Sequence, residues 1–199
     1  MSGRSADKLV LIRHAQTEWS LNGRHTGRTD IPLTDAGRER AAGLPARLAG
    51  WHFDLVLTSP LQRARETAQL SGLGEQAQDR EQLLEWDYGD YEGLTSPEIY
   101  RRRPGWSLWR DGCPGGEDAA EVGARADAVI AEVLAADGTV AVFSHGHMLR
   151  VLAARWIGLG AERGANLGLD TAAICVLASE HEDPIIGRWN DTGANADAR

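Results

Sequence analysis

An arginine and a histidine, Arg13 and His14, follow directly on the apolar run Leu9-Val-Leu-Ile12. A short, continuous apolar run is the pattern of a strand buried on both faces of a parallel sheet. The guanidinium and imidazole then stand where that strand ends, and ligands of open α/β sheets bind at the carboxyl ends of strands. Two more apolar runs end in similar chemistry. Leu55-Val-Leu-Thr-Ser59 leads into Pro60-Leu-Gln-Arg63, and the run 139–144 leads into His145-Gly-His147. If these strands are parallel, Arg13, His14, Arg63 and His145 converge on one edge. Such a set suits phosphoryl transfer. Forked N–H donors hold phosphate oxygens, one imidazole attacks in line, and a second, protonated, steadies the charge. The departing alkoxide then needs a proton. Glu81, Glu85, Asp87 and Asp90 crowd the segment between the second and third strands, and spacing alone leaves all four open as its source.

The elements that must carry these groups follow from the pattern. Apolar runs with helical stretches between them predict an α/β fold: a three-layer sandwich with a mostly parallel central sheet, helices on both faces and an inserted lid. The first strand is expected over 8–13. Thr34 caps a helix reaching about Leu48, strand 55–59 breaks at Pro60, and the next helix runs to Leu70 before Gly72 and Gly74. The segment 85–116, dense in Gly, Pro, Trp and Tyr, is expected to form a lid or side wall with a short helix near 96–101. A helix over 117–134, a strand over 139–144 and a helix over 147–157 follow. Strands at 172–177 and 185–189 close the sheet, one of them as an antiparallel edge, and 190–199 reads as a frayed tail of a single domain spanning 1–199.

Composition narrows the partners. The chain has 199 residues, 42% hydrophobic and 25% charged, as in an ordinary globular domain. A net charge of -8 argues against nucleic acid, so an anionic substrate must meet a local basic pocket. No apolar stretch reaches the roughly 20 residues that span a bilayer. The first eight residues hold no apolar leader, and Cys113 and Cys175 lack CxxC partners; both point to a cytoplasmic protein with free thiols. His145 and His147, with His14 and His25, resemble metal ligands. The matching carboxylate or cysteine spacing is missing, and neither metal nor cofactor is expected.

The motifs are similar to those of a known family. Leu11-Ile-Arg-His-Ala-Gln-Thr-Glu-Trp19, Gly23-Arg-His-Thr-Gly-Arg-Thr-Asp-Ile-Pro-Leu-Thr34 and Ser59-Pro-Leu-Gln-Arg-Ala-Arg-Glu-Thr-Ala68 resemble the histidine phosphatase (phosphoglycerate mutase-like) superfamily. Glu85-Trp-Asp-Tyr-Gly-Asp-Tyr-Glu-Gly93, Pro114-Gly-Gly-Glu117 and Ser144-His-Gly-His147 continue the resemblance in the family's order. It implies that His14 is phosphorylated and then hydrolysed, that Glu85 is the proton donor, and that Arg13, Arg63 and His145 complete the pocket. It also implies that Thr26, Gly27 and the Gly146 backbone contact the phosphate or its carrier, and that Ser20 falls where mutases place Asn. His147 is expected to line the pocket or cap its helix. The implied substrate is a small phosphate ester, with phosphate or sulfate fitting the same pocket, and a homodimer is left open.

Two departures matter. The family glycine after the nucleophile is Ala15 here, which would be strained if that position required positive φ. Trp86, not Arg, follows Glu85, which favours the phosphatase branch (acid phosphatases and sugar-bisphosphate phosphatases) over a 2,3-bisphosphoglycerate-dependent mutase. A non-catalytic phosphate-ligand binder is the remaining alternative. Trp19, Trp86, Trp106 and Trp109 are candidate pocket walls or core residues, and Arg101–Arg103 is an anion site or an exposed charge run.

Overall fold

A computed structural model describes residues 6–193. Its sheet has six strands, β1 (Ala6–Arg13), β2 (Leu55–Thr58), β3 (Ala77–Asp79), β4 (Gly138–Ser144), β5 (Ile174–Glu180) and β6 (Asp183–Asp191), in the order β3-β2-β4-β1-β5-β6. The pairings β2–β3, β2–β4 and β1–β4 are parallel, and β5 runs antiparallel to both neighbours. The helices are α1 (Glu18–Asn22), α2 (Asp35–Ala42), α3 (Leu44–Leu48), α4 (Gln62–Leu70), α5 (Ser96–Arg102), α6 (Leu108–Asp111), α7 (Ala119–Ala135) and α8 (Gly146–Trp156).

The period-two alternation of strand side chains divides the core into two layers. Leu9 and Leu11 of β1 and Val140 and Val142 of β4 join α7 and α8 through Val122, Val129, Leu149 and Leu152. Val10, Ile12, Ala141 and Phe143 pack the other way, against Ala41, Leu44, Leu48 and Ala68 of α2–α4. The central strands therefore bury both faces, which is why their sequence is continuously apolar. This is the expected three-layer α/β sandwich.

Register sets the working edge. Arg13 pairs with Ser144 across β1 and β4, and Thr58 pairs with Phe143 across β2 and β4. The ladder continues past the strand ends, with His14 N–H donating to the Ser144 carbonyl and Ser59 N–H to that of Phe143. The three loaded strand ends are thus level.

Several expectations are corrected. The helix after Thr34 breaks at Gly43 into α2 and α3, because Pro45 in the first turn of α3 has no N–H to continue the ladder. The expected antiparallel edge is β6, and β5, inside the sheet, is antiparallel to both of its neighbours. β5 begins two residues late because Ala172 sits at φ 54°, outside extended backbone. Asn190 and Asp191 belong to β6, and the rest of the proposed tail from 194 lies outside the described residues. Three-residue β3 and five-residue α1 are too short to show periodicity.

Segment 85–116 is a fixed wall, not a loose lid. It contains α5 where a short helix was expected, and Trp86, Tyr88, Tyr91, Ile99, Trp106 and Leu108 are buried in the same cluster as α7. Trp86 and Trp106 are accordingly core residues, whereas Arg101–Arg103 are exposed.

The long helix α7 starts with a capping box, in which Asp118 accepts from the N–H groups of Ala120 and Glu121 while Glu121 returns a bond to Asp118 N–H. Loss of such a cap costs about 1 kcal/mol. Asp118→Ala should lower the urea-unfolding free energy by that amount with an unchanged m-value.

Candidate active site

His14 leaves β1 with its ring already assigned a tautomer. Nδ1 lies 2.7 Å from the Ala15 carbonyl, which can only accept, so Nδ1 carries the proton and Nε2 keeps a lone pair. Burial, then the nearby charges of Arg63 and Arg13, pushes the imidazole pKa well below its usual value. A neutral ring with a bare Nε2 is the state a nucleophile needs. Ala15 is buried without strain: it is not among the positive-φ residues, its N–H donates to Thr67 Oγ1 at 3.0 Å, and its methyl packs into the α2–α4 core.

Arg13 lies across the start of α8. A Cβ on Gly146 would stand 3.2 Å from the Arg13 guanidinium carbon, so glycine is what lets the cation lie there. One Arg13 nitrogen donates to the Leu169 carbonyl, while its buried Nε has no protein partner. A buried, unpaired cationic N–H is costly unless an anion satisfies it.

Arg63, in the first turn of α4, is fully buried. Its Nε donates to His145 Nδ1 at 3.1 Å, and its other nitrogens bind the carbonyls of Thr26, Gly27 and Thr29. Because Arg donates, His145 Nδ1 accepts, so Nε2 holds the proton and donates to Ser59 Oγ at 2.7 Å. Burial, then Arg63, His14 and Arg13, lowers the His145 pKa. The His14 and His145 rings are 5.2 Å apart between centroids.

Glu85 reaches back to the start of α8, whose N-cap, His145, provides no side-chain cap. Its Oε1 accepts from Trp86 N–H and Met148 N–H, both at 2.9 Å, and Oε2 accepts from His147 N–H at 3.0 Å. Two donors saturate Oε1, so a transferable proton belongs on Oε2. The carboxyl group therefore supplies a cap that the local sequence of α8 lacks.

These groups border a cavity of about 260 Å³, lined among others by Arg13, His14, Ser20, Thr26, Glu85, Gly146 and His147. Among the expected contacts, Gly27 is absent from the lining. It is buried, its N–H is held by Glu92, and a Cβ there would meet Glu92 and the Trp86 carbonyl at 2.6 Å. Arg63 and His145 are also absent from the lining and fully buried, and Arg63 brackets His145 and the 26–29 loop through four of its five N–H groups. His147 lines the cavity; its Nδ1 lies 2.6 Å from the Tyr88 hydroxyl, and desolvation keeps the phenol protonated and the imidazole neutral. A wider groove of about 660 Å³ beside α7 and α8 contains none of this constellation.

Sequence reasoning missed Arg24, Ser96, Arg150 and Leu169 in the lining, and Ser59 as the partner of His145. Arg150 had a signal: it follows His147 by three residues on a helix, which puts both on one face. Neither Cys113 nor Cys175 joins the site; burial pushes both thiols up to about 12. No helix among the described residues is long and apolar enough to cross a membrane.

Comparison with known proteins agrees with this geometry. Residues 9–192 match the model of the histidine phosphatase superfamily (branch 1), and the chain belongs to that family. It is 41% identical over 178 residues to an acid phosphatase of Mycobacterium tuberculosis, covering 87% of each chain. It is 35% identical over 191 residues to sedoheptulose 1,7-bisphosphatase of Saccharomyces cerevisiae, covering 78% of this chain and 69% of the relative. A 2,3-bisphosphoglycerate-dependent phosphoglycerate mutase of Mesorhizobium japonicum is 36% identical over 183 residues, covering 82% and 87%. The chain is a phosphoric monoester hydrolase of the histidine phosphatase type.

Three imidazoles, the buried His14 and His145 and the part-exposed His147, have pKa values depressed from the usual 6.5. Below pH 6.5 the unfolded chain takes up these protons before the folded one does, so stability is lost as pH falls. Each contributes a slope of up to about 1.4 kcal/mol per pH unit. Urea midpoints should therefore drop from pH 7 to pH 5; a flat profile contradicts the neutral assignment.

Proposed function

We propose that this enzyme hydrolyses small phosphomonoesters, sugar phosphates first, through a phosphohistidine on His14 Nε2 and without a metal. The observation that carries the reading is the bare, neutral Nε2 beside the unsatisfied buried N–H of Arg13. In the first step Nε2 attacks phosphorus, the bond from phosphorus to the alcohol oxygen breaks, and the Glu85 proton passes to that oxygen. In the second, water attacks the phosphoryl group, gives its proton to Glu85, and the P–N bond breaks to release phosphate. The Arg13 guanidinium stabilises the charge on the moving group, while His145 stands beside His14 as a neutral ring held by Arg63 and Ser59. Thr26, Ser20 and His147 face the carrier.

The lining favours esters with a second anionic group. It holds three guanidinium groups, Arg13, Arg24 and Arg150, against one carboxylate, Glu85. Arg150 is steadied by the carbonyls of Gly164 and Ala165 and by the Trp109 ring. A mutase reading is supported by the mutase relatives alone. Trp86 is fully buried with its indole N–H bound to the Glu117 carbonyl, so the position after the acid presents no cation to a substrate carboxylate. With 3-phosphoglycerate and catalytic 2,3-bisphosphoglycerate, free phosphate should form faster than 2-phosphoglycerate; the reverse order overturns the phosphatase reading.

His14→Ala should abolish phosphate release and the acid-labile phosphoprotein trapped from a radiolabelled ester. Glu85→Gln should slow sugar-phosphate hydrolysis roughly 100-fold or more, the scale of general acid catalysis. Arg150→Met should raise KM for a sugar bisphosphate roughly tenfold, the worth of one charge-assisted hydrogen bond, with a smaller effect on p-nitrophenyl phosphate.

A further inference from the structure

We infer that Arg125, with Glu117, is the positioning device for the acid: it holds the backbone of Glu85 in place without touching substrate. The inference rests on the reading of Glu85 as the proton donor. Residues 84–88 belong to no helix or strand, so their backbone polar groups find partners elsewhere. The carbonyls of Leu84 and Glu85 meet one side chain. Arg125, on α7, donates to the carbonyls of Gln82 at 2.7 Å, Leu84 at 2.8 Å and Glu85 at 3.4 Å. Its remaining donors grip both carboxylate oxygens of Glu117, at 2.7 and 2.8 Å. Glu117 then closes the bracket from the other side. Its carboxylate accepts from Asp87 N–H at 2.8 Å, its N–H donates to the Asp87 carbonyl, and its own carbonyl accepts from the Trp86 indole.

Two residues, eight apart along the chain, thus fix the main chain on both sides of the acid. The pair is poorly exposed, at 18% and 16% of side-chain surface, which limits solvent competition for these bonds. A surface pair of the same charges would impose little geometry. Neither residue lines the cavity. Their effect therefore passes through the placement of Oε2, and a displacement of about 1 Å at a reacting group costs up to 100-fold.

Leaving-group dependence separates positioning from general structural damage. An alkoxide cannot depart without a proton, whereas nitrophenolate can. First-turnover release of the alcohol should be measured for a sugar phosphate and for p-nitrophenyl phosphate. Arg125→Met should slow the sugar phosphate about tenfold or more and the aryl ester less than about threefold. Glu117→Gln, which keeps one acceptor oxygen and loses the other, should show the same bias more weakly, and it decides the matter if Arg125→Met does not fold. Equal losses on both esters, or no loss on either, overturn the inference. Glu85→Gln is the parallel arm: a strong bias there with none in the Arg125 and Glu117 variants sinks only the bracket, whereas no bias in Glu85→Gln sinks the acid assignment itself.

Discussion

Desolvation of positive charge organises this site. Arg13 and Arg63 are fixed around His14 and His145 in a space where a protonated imidazole would be both unsolvated and repelled. The rings are kept neutral, and each is locked in one tautomer by a partner that can only accept or only donate. Burial also lowers the pKa of both guanidinium groups, with Glu85 opposing that shift. The charge deficit is local: the chain as a whole carries -8. An incoming dianion relieves the imbalance, so the same electrostatics that keep the rings neutral favour its binding.

The sheet makes this crowding possible. Parallel pairing of β1, β2 and β4 brings three strand ends level, and continuous apolar sequence keeps each strand rigid by burying both faces. Side chains beyond the strand ends then inherit positions fixed by the ladder. Loops provide the remainder, and they are held by side chains instead of by the sheet. Glu92 anchors the 26–29 loop, Arg63 ties it to His145, and Glu117 anchors the turn after the acid.

What was readable in the sequence follows that division. Arg13, His14 and His145 could be placed because an apolar run predicts a strand and a strand predicts where its last residues go. Arg63 was identified, but position on α4 does not reveal that four of its five N–H groups go to three carbonyls and an imidazole. Gly27 looked like a phosphate contact, yet its need for glycine comes from Glu92 and Trp86 packing against it. Ser59 and Arg125 act across separations of 86 and about 40 residues, and nothing in local periodicity encodes such contacts. The short β3 and α1 were invisible for a simpler reason, since neither is long enough for a repeat to develop.

The carboxylate of Glu85 closes the amino end of α8 from a remote loop, so one group serves the helix and the reaction together. Any replacement must still accept from Met148 and His147, or the helix that carries His147 and Arg150 frays at its first turn. Drift at position 85 is therefore confined to side chains that can terminate a helix. Secondary structure and turnover are bound to share a single point of failure.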